Sequence, residues 1–460
     1  MHGIRAQVSR QRRRMVEGAG HRGHLEFFNV LTGPGLLELV ESGLPAHRER
    51  LFPPTETLAM LLSQVSSADG SCAAVVNEVA THRVVSGLPL CSTRTGAYCR
   101  ARARLPVHLL WELAGGVGRL LGEQVDSSWL WQGRRIRLVD GTTMRMADTQ
   151  ANQHEFPQSR TQRAGLGDPR ARLVGLICLS TGALLDAVMG PCQGKGSGEP
   201  ALLRSMLDKL QPTEVLLGDS FYASYFLLCE LQARGVEGVF EQHGARRTGT
   251  DFRCGKRLGR RDHLIELSKP RTKPQWMSQG DYDRAPATIT VRELRVKAKT
   301  LVTTLLDPKQ ASSAELGTLY CSRWHIELDL RNIKATMGMG TLRCRTPDMV
   351  RKEVGAYLLA YNLVRLLMAQ AAMETNRRPR DLSFKHTVQI WNAWRVRVQA
   401  PAEPTRLPAA LLALIAQSRV GHRPGRAEPR AIKRRPRYKF LSQPRHVARA
   451  NIRKHAKYAK

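Results

Sequence analysis

Five short apolar runs, interleaved with two helical segments, limit what this chain can fold into. Arg135-Ile-Arg-Leu-Val-Asp140 reads as a strand, with Gly141-Thr-Thr as the turn after it. Arg172 to Met189 reads as two strands joined at Thr181-Gly182, and Glu199 to Leu210 as a helix. Glu214-Val-Leu-Leu-Gly-Asp219 is a buried strand, Tyr222 to Arg234 a helix, and Gly235 to Gln242 another strand. A strand–hairpin–helix–strand–helix–strand order places helices on the faces of one sheet, so the expected class is α/β.

The flanks differ in character. Residues 1–128 read as an N-terminal helical domain, with helical spacing in Thr55 to Ser63, Cys72 to Val84, Thr93 to Leu105 and Val107 to Leu121. Arg94, Arg100, Arg102 and Arg104 in the third segment suit contact with a DNA backbone; a solvated basic face fits the same pattern. Residues 129–375 hold the α/β segment, interrupted at about 244–304 by an Arg-, Lys-, Gly- and Pro-rich stretch. Its alternating run Thr288 to Val296 predicts a small β insertion. Residues 376–460 form a C-terminal helical and basic region, in which Arg419 to Lys460 carries fifteen Lys/Arg and one acid, Glu428. Such a tail binds phosphate without sequence preference.

A formal net charge of +33 over 460 residues points to a polyanionic partner, and nucleic acid is the first expectation. The longest apolar run, Val354 to Met373, contains Asn362 and Arg365 and reads as a buried helix, so no membrane span is expected. The N-terminus is basic and polar with no apolar core, which predicts no secretory leader. The nine cysteines show no C-x-x-C pair, so neither a zinc site nor a disulfide framework is indicated, and a reducing cytoplasm fits.

Asp140 and Asp219 each end an apolar run where a polar turn begins. Two carboxylates at adjacent strand ends, joined by one from a nearby helix, make a hard, oxygen-rich site suited to Mg²⁺ or Mn²⁺. Two such ions about 3.5–4 Å apart activate an attacking oxygen and steady a leaving one in an in-line phosphoryl displacement. The helical carboxylate belongs to a stripe: Tyr320, Arg323, Glu327 and Lys334 have offsets of 0, 3, 7 and 14. On one continuous helix these fall within about 60° of one another. Ser312 and Glu315 have capping-box spacing at its start, and Gly338 and Gly340 lie past its end. A solvated face with an Arg323–Glu327 ion pair fits the stripe as well. His325 points about 200° from Glu327 and reads as packed or solvated. Gly194-Lys-Gly-Ser-Gly lacks phosphate-loop spacing and reads as a flexible loop before the Glu199 helix.

Tyr-x2-Arg-x3-Glu-x6-Lys resembles the signature of the cut-and-paste DDE transposases of insertion sequence family four. Asp140 in Leu-Val-Asp-Gly-Thr-Thr and Asp219 in Leu-Gly-Asp-Ser-Phe-Tyr resemble that family's first two acidic motifs. Gly194 to Glu199 and Tyr98-Cys-Arg-Ala-Arg also look familial, and the resemblance runs from about residue 50 to 375. It implies an RNase H-like mixed sheet with a β insertion between the second Asp and the Glu. It also implies Mg²⁺-dependent cleavage at terminal inverted repeats, strand transfer into target DNA, and a homodimer on paired ends. Carried over residue by residue, Asp140, Asp219 and Glu327 would be metal ligands, and Tyr320, Arg323 and Lys334 would contact DNA phosphates. Trp324 would pack beside the site. Some relatives stack a flipped base on a Trp of the insertion; Trp276 lies there, in a setting without a secure match. A nuclease that cuts but does not join, and a DNA-binding relative without catalysis, are the alternatives.

Overall fold

The computed structural model describes residues 51–85, 87–123, 125–194, 196–244, 249–397, 409–421 and 442–454. Residues 1–50, and most of the basic tail, lie outside them. Four helices come first: α1 (Pro54–Ser66), α2 (Cys72–Val85), α3 (Gly96–Arg104) and α4 (Val107–Glu123). Then follow β1 (Ile136–Arg145), α5 (Gln150–Glu155), β2 (Arg170–Cys178), β3 (Leu184–Pro191), α6 (Glu199–Arg204), β4 (Val215–Gly218), α7 (Tyr225–Ala233) and β5 (Glu237–Glu241). The inserted stretch gives β6 (Lys256–Gly259), β7 (Asp262–Ser268), α8 (Gln279–Arg284), β8 (Thr288–Val296) and β9 (Lys299–Thr303). The chain continues through α9 (Ser313–Cys321), α10 (Trp324–Arg331), α11 (Pro347–Glu374), α12 (Phe384–Arg397), α13 (Ala409–Gln417) and α14 (Arg445–Lys454).

All described strands join one mixed sheet in the order β3-β2-β1-β4-β5-β9-β8-β7-β6. β1, β4 and β5 run parallel, while β2 and β3 form an antiparallel hairpin against β1. The inserted strands pair onto β5 through β9, so the β insertion widens the main sheet.

Both faces of the central strands are buried, which explains their continuous apolar runs. Ile136, Leu138, Val215 and Leu217 pack in one cluster with α1, α4, α10 and α11. Val139, Val174, Leu176 and Leu216 pack in a second, with Leu203 of α6 and Phe226, Leu227 and Leu228 of α7. Helices α1 and α4 therefore share a core with the sheet. Pro347–Glu374 is, among the described residues, the one helix long and apolar enough to span a membrane, and 94% of its apolar window is buried inside the protein. Its polar residues serve that burial. Asn362 accepts from Leu184 N–H at 2.8 Å and donates to the Leu184 and Ala114 carbonyls, both at 2.7 Å.

Gly118 sits where α4 crosses this clamp. A Cβ there would run into the Leu184 carbonyl and lie 2.9 Å from Asn362 Nδ2. Two of the obstructing atoms are backbone, so they cannot swing away. Gly118→Ala is expected to destabilise the fold by about 1–3 kcal/mol, the cost of overpacking. Urea unfolding measures it, and an unchanged midpoint would mean that α4 slides freely over β3.

Candidate active site

Strand register brings the first two acidic positions together. Leu138 of β1 stands opposite Leu217 of the parallel strand β4. Asp140 and Asp219, each two residues further on, therefore lie side by side, Asp219 just past the end of β4 and Asp140 within β1. β1 runs on as strand to Arg145 because its pairing with β2 continues, so the turn expected at Gly141-Thr-Thr does not form. By strand alternation Asp140 shares the face of Leu138, where α10 packs. Asp140 accepts from its neighbour Gly141 N–H at 2.7 Å. Asp219 caps its own turn, taking Phe221 N–H on Oδ1 at 2.8 Å.

Tyr320, Arg323, Glu327 and Lys334 do not lie on one regular helix. The capping box of Ser312 and Glu315 starts α9 as expected, but α9 ends at Cys321. From Ser322 to Ile326 the backbone bonds run from residue i to i−3, as in Arg323 N–H to Tyr320 O at 3.0 Å and Ile326 N–H to Arg323 O at 3.1 Å. That tightened turn re-aims the chain before α10 resumes. Beyond α10, Asn332–Thr336 widens into a π turn that carries Lys334. The ideal 100° step holds on neither side of Glu327. Local π turns are frequent at functional sites.

Despite this, part of the stripe converges. Arg323 Nη2 donates to Glu327 Oε1 at 2.9 Å, and Arg323 Nη1 stands 3.7 Å from Asp140 Oδ2. The expected Arg323–Glu327 ion pair forms, and the same guanidinium stands between the strand carboxylate and the helix carboxylate. Tyr320 is buried, and its phenol donates to Glu241 Oε2 at 3.2 Å, at the end of β5. Lys334 is half-buried near Arg145, and burial, then the Arg145 charge, holds its ammonium below the usual lysine range. Burial, then Arg380, lowers the half-buried His325. Arg94, before α3, and Arg100 and Arg104 within it are exposed, while Arg102 is buried and donates to Gln64 Oε1 at 3.2 Å. Arg102 is a core residue, contrary to its expected place on a basic face.

A fourth carboxylate stands in the site. Glu199 starts α6 and packs onto Gly141, where any Cβ would collide with its carboxylate. Tyr222 O–H donates to Glu199 at 3.5 Å, and Arg172 lies 3.7 Å from it. Burial raises Glu199, and the Asp219 charge raises it further. The Asp140 carboxyl is pushed up to about 6, chiefly by burial and additionally by Glu199 and Asp219, against the lowering effect of the Gly141 N–H and Arg323. The sequence offered one signal for Glu199, its place after the glycine-rich loop. It gave no hint that the side chain crosses over to β1.

Carboxylates at the C-terminal ends of parallel strands suit a hard divalent cation. Among the described residues, however, no three His, Cys, Asp or Glu side chains stand close enough to hold an ion as placed. Glu327 faces Arg323, and it must turn from that guanidinium to join Asp140 on a metal.

Residues 131–363 match the transposase DDE domain family. The transposase InsG of insertion sequence element IS4 from Escherichia coli (strain K12) is 29% identical over 328 residues, which cover 68% of this chain and 71% of that one. The cryo-EM structure of the piggyBac transposase synaptic complex with hairpin DNA is a weak likeness, with TM-score 0.44 and 9% identity over 89% of this chain and 87% of that one. Family members work with a divalent metal. With its matched domain spanning Asp140, Asp219 and the Arg323–Glu327 turn, the chain belongs to the DDE transposases of the IS4 type, enzymes that cleave DNA and transfer its strands.

Proposed function

We propose that Asp140, Asp219 and Glu327 hold Mg²⁺, or Mn²⁺, in a two-metal site that cuts the terminal inverted repeats and joins them to target DNA. The observation that carries this reading is the register of β1 and β4, which sets Asp140 beside the end of β4 and Asp219, with Glu327 tied to Asp140 through Arg323. The strand order β3-β2-β1-β4-β5, with β2 reversed, supports an RNase H-like core whose sheet the insertion extends. When bound, the metal supplies charge to the in-line displacement of a phosphodiester oxygen.

The chain's own groups do the rest. Asp140 and Asp219 present their oxygens from β1 and from the turn after β4. Arg323 leaves Glu327 for a DNA phosphate, an exchange of one charge-assisted bond for another. Lys334 adds a second phosphate contact from the π turn. Tyr320, committed to Glu241, fixes the turn from which Arg323 extends, so its share in DNA contact is indirect. The exposed Arg94, Arg100 and Arg104, in the helical part N-terminal to residue 128, grip the DNA backbone, as does the basic tail. Two copies hold the paired ends, and the protein works on bacterial DNA in the cytoplasm.

A donor oligonucleotide with a 3′-OH end, incubated with plasmid target and Mg²⁺, tests the joining step. Cutting without joined product would leave only the nuclease half of this reading. Arg323→Ala and Lys334→Ala are expected to weaken binding to element ends by about 1.5–3 kcal/mol each, the worth of a hydrogen bond to a charged group. Gel-shift titration checks this. Two variants that bind and cut like the parent but melt lower would reduce the stripe to a structural ion-pair face.

A further inference from the structure

Phe221 is presented to solvent beside the site. It is 63% exposed, whereas the adjacent Tyr222 is fully buried. A singly exposed apolar side chain is ordinary on a protein surface, so what distinguishes this ring is the turn that presents it and its place two residues from Asp219. The turn that displays this ring is rigid. Its N–H is held on Asp219 Oδ1 at 2.8 Å, and Tyr222 N–H bonds the Asp219 carbonyl at 3.3 Å. The Tyr222 ring packs over Gly218, where a Cβ would come 2.8 Å from its Cδ2, and its phenol reaches Glu199. Ser224 N–H closes the turn on the Tyr222 carbonyl at 2.8 Å. A stiff turn that buries one aromatic ring and presents the next to solvent, two residues from Asp219, is a pre-organised platform.

Trp276 of the insertion is differently engaged. The Arg204 guanidinium lies 3.5 Å from the centre of the Trp276 ring, and Phe226 meets the same ring edge-on at 6.2 Å. Trp276 thus ties the insertion to α6 and α7. The substrate of this enzyme is DNA, whose bases offer π-faces that stack on aromatic side chains regardless of sequence. We propose that Phe221 is the platform on which a nucleobase beside the cleaved phosphodiester stacks, holding that phosphate over Asp219. The inference rests on the reading of Asp219 as part of the cleavage site.

The test uses a duplex of the inverted repeat that bounds this reading frame, with 2-aminopurine at each of its last three positions in turn. Binding is followed in EDTA, so the DNA stays uncut and the signal is independent of what Asp219 does in catalysis. At one position the fluorescence is expected to change on binding. Phe221→Ala should lose that change and cut about tenfold more slowly, within the range for loss of one base–aromatic stack, with the melting temperature unmoved. Phe221→Trp should restore both. A Phe221→Ala variant that signals and cuts like the parent overturns the proposal. So does one whose activity loss follows a lowered melting temperature, or a Phe221→Trp that rescues nothing. If Asp219→Asn cuts normally while the Phe221-dependent signal persists, the cleavage-site reading fails and the stacking contact stands.

Discussion

Asp140→Asn is expected to abolish DNA cleavage and, in EDTA, to make the protein more stable. The two effects share a cause. Burial among Glu199 and Asp219 pushes the Asp140 carboxyl from an ordinary 3.8 to about 6, so at neutral pH the fold carries a charge it disfavours. The sign follows from proton binding. Between the unfolded value and the folded one, the folded chain binds more protons than the unfolded chain, so stability falls as pH rises through that window. Above pH 6 the loss is complete, on the order of 1–3 kcal/mol for a shift of about two units. Asparagine keeps the shape and removes the charge. Its stabilising effect should therefore be absent below about pH 4, grow between about pH 4 and 6, and be full at pH 7. Cleavage in Mg²⁺ should fall by at least about 10²–10³-fold if, as proposed, the removed charge is one that would hold the metal. Thermal melts in EDTA at pH 4, 5, 6 and 7, with a nicking assay beside them, make the measurement. A variant that cuts normally removes Asp140 from the site. One that is no more stable at pH 7 than at pH 4, relative to the parent, removes the account of its strain.

The sheet was legible because its strands are short, apolar and closed by turn residues. The β2–β3 hairpin, β4 and β5 lie where the apolar runs predicted them, whereas β1 continues through the expected Gly141-Thr-Thr turn to Arg145, because β2 pairs with it along that length; the two aspartates become neighbours through register. The helix stripe was legible in outline only. Regular 3.6-residue geometry brought Arg323 next to Glu327, yet nothing in the spacing announces the tight turn at Ser322 or the π turn at Lys334. Those distortions answer to tertiary partners: Glu241 draws Tyr320 one way and Asp140 draws Arg323 another. Glu199, Arg102 and Asp329 escaped for the same reason. A charged residue on a polar-looking stretch gives no sign of being buried until its partners, far off in sequence, are in place.

Asp329 carries the largest structural consequence. It follows Glu327 by two residues on α10 and is 1% exposed. Arg380 Nη1 donates to both its oxygens at 2.8 and 2.7 Å, and Arg365 of α11 donates to Oδ1. Arg380 also donates to the Leu179 and Cys178 carbonyls at 2.6 and 3.1 Å, and Arg365 to the Tyr361 hydroxyl at 2.9 Å. Tyr361 in turn bonds the Gly182 carbonyl at 2.7 Å, in the β2–β3 turn. One buried carboxylate thus fastens the helix of Glu327 to the hairpin beside β1. Asp329→Asn keeps the volume but sets an amide N–H₂ against two guanidinium groups and leaves both uncompensated. Breaking a buried pair from one side costs about 3–5 kcal/mol, several times the usual surface substitution. The urea midpoint should fall accordingly. At temperatures where the variant stays folded, cleavage should still drop, because α10 no longer holds Glu327 at a fixed distance from Asp140. Hydrogen exchange separates the two effects: amides of α10 should exchange faster than those of β4 in the same molecule. Uniform acceleration would assign Asp329 to stability alone, and an unchanged urea midpoint would mean that Arg365 and Arg380 find other acceptors.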